Sequence, residues 1–405
     1  MEKRRKVVVV GGCGHVGLPL GMVLADHGMQ VQLLDIDGAK VAGINQGKLP
    51  FRESGAEVLL PKLIGKSLQA TTDPECLRSA EVVISVIGTP VDEHLNPTVA
   101  ALYRSLEELI QHVPDGALLV LRSTVYPGVT RLIHDRIAAR GRKILVAFCP
   151  ERISEGEALN ELTSLPQIIS AFDPAALAKA RELFAGIAPA LIELEPLEAE
   201  LAKLFTNSWR YLNFAVSNQF YMLAQGYGLD FYRIYEAVTQ EYPRMRSFAR
   251  AGFAAGPCLL KDTLQLSAFS SNNFFLGHAA MLINEGLPNF IVAQLRGKGL
   301  SNRRVAILGM AFKGDSDDNR SSLSYKLKKL LQVEALEVIC SDPFVPDPRL
   351  VPADEAVARA DIVILGAPHS TYRDLEVPAG KFVVDVWGFW RRRQLQPKKA
   401  RGVQA

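Results

Sequence analysis

Lys6-Val-Val-Val-Val-Gly-Gly-Cys-Gly-His-Val-Gly-Leu-Pro-Leu-Gly21 is the stretch that decides the fold. Four valines without a polar break predict a strand covered on both faces. Gly12, Gly14 and Gly17 then give the spacing G-x-G-x-x-G, and a helical pattern follows. Alone this spacing is weak, but between a strand and a helix it is the signature of a dinucleotide-binding turn. Gly12 allows the tight turn, Gly14 lets backbone approach a pyrophosphate, and Gly17 lets the helix pack on the strand. Phosphates would meet unpaired N–H groups at the helix N-terminus, around Gly14, Val16 and Gly17. Asp35 ends the next apolar run, Val31–Leu34. A carboxylate there accepts from both ribose hydroxyls and repels a 2′-phosphate, which favours NAD over NADP. A flavin site or a structural glycine turn is the competing reading. Cys13 and His15 read as fillers of the variable positions.

Outward from this turn, short β-branched runs alternate with helical patterns. Val7–Val10, Val31–Leu34, Val82–Ile87, Ala117–Leu121, Ile144–Phe148 and Gln167–Ser170 are expected strands of a parallel sheet built from βαβ units. After Pro196 the pattern changes, and 198–240 and 258–296 read as long helices. Gly297–Asn302 reads as a linker. Alternation resumes with Val305–Leu308, Val338–Cys340, Ile362–Leu365 and Phe382–Val384. The expected fold class is α/β. An N-terminal Rossmann domain spans 1–195, an all-helical domain 196–297 and a smaller Rossmann-like domain 298–390, with a basic tail over 391–405.

The chain has 405 residues, 48% hydrophobic and 22% charged, which excludes wholesale disorder. Six cations lie in the tail (Arg391, Arg392, Arg393, Lys398, Lys399 and Arg401), and without them the net charge changes from +3 to −3. The body therefore does not read as a nucleic-acid binder. No apolar run approaches a membrane span, and the N-terminus does not read as a signal peptide. The five cysteines are scattered without zinc-site or disulfide spacing, so no metal is expected and the cytoplasm is the expected compartment.

Gly256-Pro257 is a turn signal, with Pro257 suited to the first position of a helix. Cys258 would then sit in the first turn, where the helix dipole favours thiolate, with Asp262 at i+4 on the same face. Read locally, the residue is more often a small buried hydrophobe than a nucleophile. Glu200, Lys203 and Asn207 share one helix face, and the last two are donors able to hold an oxyanion. An ordinary solvated Glu–Lys face is the commoner alternative. Gly88-Thr89-Pro90, Arg122-Ser123-Thr124 and Cys149-Pro150-Glu151-Arg152 follow strand ends, where doubly wound sheets bind ligands.

Five segments in this order resemble the nucleotide-sugar 6-dehydrogenase family, which includes UDP-glucose, UDP-N-acetylmannosamine and GDP-mannose dehydrogenases. They are Arg122–Gly128, Cys149–Arg152, Glu198–Lys203 with Asn207, Gly256–Cys258 with Lys261-Asp262, and Leu308–Lys313 with Asp317-Asp318 and Arg320. The resemblance implies a four-electron oxidation of the C6 alcohol to the acid with two NAD⁺. Cys258 would carry the thiohemiacetal and thioester. Lys203 and Asn207 would stabilise negative oxygen, Asp262 would position water or move a proton, and Glu151 would be the base for thioester hydrolysis. Thr124 would lie near the reacting carbon and the nicotinamide. Lys40, Thr89, Glu155 and Arg320 would contact NAD. Arg152, Phe253, Gly256, Lys261 and Lys313 would join the sugar-nucleotide site. The central helices would form a homodimer core.

Phe253 and Ala255 stand where many members have glycine, Gly88 replaces a frequent proline, and Gln219 stands where glutamate is common. None of these removes a catalytic group. Two rival readings remain: a two-electron dehydrogenase of hydroxyacid type, and an inactive sugar-nucleotide-binding homologue. The first would need neither Cys258 nor a third domain, and counting NADH per substrate separates it from the four-electron scheme.

Overall fold

A computed structural model describes residues 4–88, 99–254 and 256–391. They divide into two compact units. One is built from the chain up to Asn207 and from Lys261–Asn273, the other from Ser208–Leu260 and from Phe274 onward.

In the first unit, eight strands follow β1 (Lys6–Val10), β2 (Gln30–Leu34), β3 (Leu68–Thr71), β4 (Val82–Ser85), β5 (Leu118–Leu121), β6 (Leu145–Phe148), β7 (Gln167–Ala171) and β8 (Leu191–Glu193). Their spatial order is β3-β2-β1-β4-β5-β6-β7-β8. Successive strand residues point to opposite faces, so β1 feeds two cores. Val7 and Val9 pack with Leu18, Leu24 and Leu33, whereas Val8 and Val10 pack with Val83, Leu119 and Ile133. All the expected strands form. The parallel expectation fails at β7, which runs antiparallel to β6 with Ala147 opposite Ala171. β3 and β8 escaped the sequence reading. Leu-Gln-Ala-Thr in β3 alternates buried and exposed instead of running apolar, and β8 is largely exposed.

The helix Pro196–Gly226 carries the chain from the first unit into the second. The stretches expected as long helices are interrupted. Over 198–240 the break falls at Gly228 (φ +67°), after which Asp230 caps Phe231–Thr239 by accepting from the N–H groups of Tyr232 and Arg233. Over 258–296 it falls between Leu259–Phe269 and Phe275–Arg296, where Ser271 and Asn272 take φ of +53° and +62°. Polar Ser270–Asn273 competes locally for backbone bonds, and Asn tolerates the left-handed conformation.

The second unit holds β9 (Arg304–Leu308), β10 (Glu337–Ser341), β11 (Ile362–Leu365) and β12 (Phe382–Val384), all parallel in the order β10-β9-β11-β12. Val305 and Ile307 face a core with Leu287, Ile291 and Leu327, while Ala306 and Leu308 face one with Ala356, Val357 and Tyr372. Arg391, read from sequence as the start of a tail, pairs with Asp230. The rest of that tail lies outside the described residues. Among the described residues no helix is long and apolar enough to cross a membrane.

Candidate functional site

The glycine turn is built as its spacing requires. A Cβ at Gly12 would lie 2.7 Å from the Val9 carbonyl oxygen, and one at Gly17 would lie 2.6 Å from that of Gly11. Both positions are closed to any side chain. At Gly14 the nearest atom would be 3.7 Å away, so this face of the turn is open to a ligand. The helix Gly17–Asp26 follows Val16 with no side-chain cap closing this end to a phosphate, although the Leu18 N–H already donates to the Gly14 carbonyl (3.0 Å). Asp35, just after β2, is half-buried. Its Oδ2 accepts from the Cys13 N–H (2.9 Å) and its Oδ1 from that of Asp37 (3.1 Å). These bonds aim the carboxylate at the turn and leave acceptor capacity for a ribose. The residues fit NAD. Lys40 is exposed and lies 3.6 Å from Asp37. Glu155 is half-buried in the loop after β6. Thr89 lies outside the described residues.

Also in the first unit, Asp262 is fully buried and gathers two of the expected catalytic residues and Lys261 of the expected sugar-nucleotide site. Its Oδ2 accepts from Asn207 Nδ2 (2.5 Å) and Thr124 Oγ1 (3.4 Å), and its Oδ1 lies 3.4 Å from Lys261 Nζ. Lys203 is half-buried, one turn before Asn207 on the same helix. Glu200 is not part of a solvated Glu–Lys face. It is 1% exposed and accepts from the Gly128 N–H (2.6 Å), the Thr130 N–H (2.9 Å) and Thr130 Oγ1 (2.5 Å). It thus ties the helix bearing Lys203 and Asn207 to the turn that follows Thr124.

Glu151 is saturated. Oε2 accepts from Arg122 Nε (2.7 Å) and pairs with Nη2, while Oε1 accepts from the N–H groups of Arg152 (2.7 Å) and Ile153 (3.0 Å). Arg122, 1% exposed, also donates to the Cys149 carbonyl and to Gln167. In this arrangement Glu151 anchors the loop after β6 and has no free acceptor direction for a proton. Arg152 reaches back to the Pro166 carbonyl through its side chain.

Cys258 belongs to the second unit and lies in the turn just before the helix Leu259–Phe269, one residue outside the expected first turn. It is the exposed member of the five cysteines. Burial pushes the thiols of Cys13 and Cys149 up to about 12 and that of Cys76 to about 11, and it raises Cys340. Chemistry that needs an accessible thiolate therefore points to Cys258.

The approach to this turn is rigidly held. Gly256 takes φ +99°, its N–H donates to the Ser321 carbonyl (3.4 Å), and a Cβ there would lie 2.7 Å from the Phe312 ring. The cysteine turn thus packs on the loop bearing Lys313, which is half-buried. Arg320 is exposed, and its guanidinium forks onto Asp318 (2.9 and 2.5 Å). Phe253 is 4% exposed and sits in the apolar cluster with Tyr221 and Ile291. Two residues that the sequence reading passed over pin this loop. Asn218 exchanges both hydrogen bonds with the Gly252 backbone (2.9 and 3.0 Å), and Asn284 accepts from Asn218 (2.9 Å). Their only sequence signal was an asparagine on the buried face of each of two long helices.

Comparisons with known proteins bear on the family and the fold. Models of the UDP-glucose/GDP-mannose dehydrogenase family match in three parts: the NAD binding domain over residues 5–188, the central domain over 197–285 and the UDP binding domain over 306–392. The chain is 29% identical over 381 residues to the UDP-N-acetyl-D-mannosamine dehydrogenase of Methanocaldococcus jannaschii, covering 92% of this chain and 87% of that one. Among solved structures, UDP-D-ManNAc dehydrogenase from Pyrococcus horikoshii superposes with a TM-score of 0.86 at 26% identity, covering 95% and 100% of the two chains. A UDP-glucose dehydrogenase from Pyrobaculum islandicum gives 0.85 at 25% identity, covering 95% and 98%.

Proposed function

Because this chain belongs to the UDP-glucose/GDP-mannose dehydrogenase family, we propose that it oxidises the C6 alcohol of a nucleotide-diphosphate sugar to the uronic acid through a covalent intermediate on Cys258. The observation that carries this reading is the single exposed thiol, set in a turn packed on the Lys313 loop and immediately preceding the helix of Asp262. Gly12, Gly14, Val16, Gly17 and Asp35 would hold NAD, and two NAD⁺ bound in turn would each accept one hydride; Lys40, Thr89, Glu155 and Arg320 are assigned to the same cofactor.

The first oxidation leaves an aldehyde at C6. An aldehyde does not readily give up hydride until a nucleophile adds and places negative charge on oxygen. The Cys258 sulfur forms the C–S bond, and Lys203 and Asn207 donate to the developing oxyanion. Loss of the second hydride and the hydroxyl proton leaves a thioester. Water then adds to its carbon, the C–S bond breaks, and the acid and the thiol are released. Asp262 is the better-placed group to hold that water, since its Oδ1 has an ammonium neighbour but no hydrogen bond. Glu151 could act as the base only after releasing one of its bonds. Arg152, Gly256, Lys261 and Lys313 are assigned to the sugar nucleotide, and Thr124 to the reacting carbon.

The division at 195, 297 and 390 is kept as the functional one: cofactor, central and nucleotide-sugar parts. A homodimer is supported by the stripe Phe205, Trp209, Val216, Phe220 and Leu223, each 46–58% exposed on one long helix. Sedimentation as a monomer would exclude it. Five cysteines outside any disulfide favour the cytoplasm, which cell fractionation checks.

The central test is Cys258→Ser assayed with a panel of sugar nucleotides. The wild type is expected to yield two NADH per sugar, and the variant no net acid. Normal uronate formation by the variant would overturn the scheme.

A further inference from the structure

In the second unit, the carboxyl ends of β9, β10 and β11 are tied together by two buried side chains that the catalytic scheme does not use. Asp342 directly follows β10. Its Oδ2 accepts from the N–H groups of Met310 (2.6 Å) and Ala311 (2.9 Å), and its Oδ1 from those of Phe344 (2.8 Å) and Val345 (3.0 Å). His369, 0% exposed, lies just beyond β11. Its Nδ1 is 2.9 Å from the backbone N of Asp315, which can only donate. The ring proton is therefore assigned to Nε2, which lies 3.0 Å from Asp342 Oδ2. The Asp315 carboxylate in turn accepts from Ser370 through N–H (2.7 Å) and Oγ (2.8 Å).

The two loops joined by this pair leave no slack between their backbones. A Cβ at Gly309 would come within 2.5 Å of the Ala367 nitrogen, and one at Gly314 within 2.5 Å of the Pro368 carbonyl oxygen. The segment that carries Lys313 is thus stitched to the 366–370 segment on both sides of the lysine.

The same strand position occurs in the first unit. β2 pairs with β1 and is followed directly by Asp35, just as β10 pairs with β9 and is followed directly by Asp342. Each carboxylate accepts backbone N–H from the loop after the neighbouring strand, Cys13 in one case and Met310 and Ala311 in the other. Asp35 keeps outward acceptor capacity for a ribose, whereas Asp342 has that direction filled by the imidazole of the chain itself.

We propose that His369 is a positioning residue for the nucleotide-diphosphate sugar. Seated on Asp342 where a dinucleotide would place its ribose, it closes the second unit to NAD and holds the Gly309–Asp318 loop so that Lys313 is presented in one geometry. The inference rests on reading Lys313 as a substrate contact. An ammonium on a long stem binds tightly only if the backbone beneath it is already ordered, because ordering at the moment of binding is subtracted from affinity.

The test compares His369→Phe and His369→Asn with the wild type. Phe keeps the ring volume and loses both bonds, whereas the Asn oxygen can still accept from the Asp315 N–H. Binding of UDP and of NAD is measured by calorimetry, with steady-state kinetics on the preferred sugar nucleotide. His369→Phe is expected to raise KM and the UDP Kd by about ten-fold, as loss of a buried charge-assisted bond predicts, with NAD affinity and kcat within about two-fold. His369→Asn is expected to recover part of the loss. An unchanged UDP Kd in folded His369→Phe, or a parallel loss of NAD affinity, overturns the proposal. If His369→Phe does not fold, a double-mutant cycle of His369→Asn with Lys313→Ala replaces it. Coupled losses support positioning and additive ones refute it. A wild type that binds no nucleoside diphosphate would be a separate result. It would remove the proposed function itself, and this inference with it.

Discussion

Replacing Gly256 with alanine tests whether the cysteine turn is built as described. The residue has φ +99°, and a left-handed conformation costs an L-residue about 1–2 kcal/mol. The new methyl would lie 2.7 and 2.9 Å from two atoms of the Phe312 ring, and crowding of this kind costs about 1–3 kcal/mol. Together the substitution should destabilise the second unit by about 2–5 kcal/mol. Relief requires either the Phe312 ring to move, taking its neighbour Lys313 with it, or residue 256 to move, taking Cys258. Either shift spoils the approach of thiol to substrate, and misplacement by about 1 Å costs on the order of 100-fold in rate. Denaturant unfolding reads the first effect. NADH production and the rate of Cys258 alkylation, followed by intact mass, read the second. Adding Phe312→Leu should return the crowding part of the loss but not the backbone part. Stability and kcat/KM both equal to wild type in Gly256→Ala would refute the close packing of turn and loop.

Asp35→Ala removes the carboxylate aimed at the ribose and should weaken NAD binding by about 1–3 kcal/mol, measured by calorimetry; unchanged affinity would take Asp35 out of the site. Glu151→Gln separates two roles. Leaving the buried Arg122 charge uncompensated should cost about 3–5 kcal/mol of stability, while accumulation of a covalent sugar adduct on an otherwise stable protein would favour the role of hydrolytic base. For Asp342, burial opposes ionisation, but His369 and the Phe344 and Val345 N–H groups hold its carboxyl down at about 2. Against an unfolded value of about 3.9, its contribution is complete above that pH and lost as pH falls towards 2, amounting to about 2 kcal/mol. Unfolding measured between pH 2 and 5 should therefore be less pH-dependent in Asp342→Asn, and identical slopes would count against the pair.

Much of the architecture was legible because parallel strands covered on both faces must be apolar throughout, as Val7–Val10 and Ile362–Leu365 are. What escaped was half-covered or reversed: the alternating Leu-Gln-Ala-Thr of β3, the exposed β8 and the antiparallel turn of β7. Helix lengths were overestimated because the breaks at Gly228 and Ser271-Asn272 depend on one or two left-handed residues. In the candidate site, the closed positions at Gly12 and Gly17 were readable because they follow from backbone geometry close in sequence. The carboxylates were not. Glu200 and Glu151 looked alike as charged residues near strand ends or on a helix, and only tertiary packing shows the first on Gly128 and Thr130 and the second on Arg122. Phe253 shows the opposite case: its position before the cysteine was readable, but not that its ring turns into the core.

Residues 261–273 return to the first unit after the chain has already left it at Asn207. During synthesis from the N-terminus, the eight-stranded sheet leaves the ribosome well before the segment carrying Asp262. At ~5–20 residues per second, Asn207 waits several seconds for the carboxylate it donates to. A nascent chain paused in this interval displays an unfinished polar pocket to chaperones, so slow codons placed after residue 207 should depress the yield of active enzyme more than the same codons placed after 273.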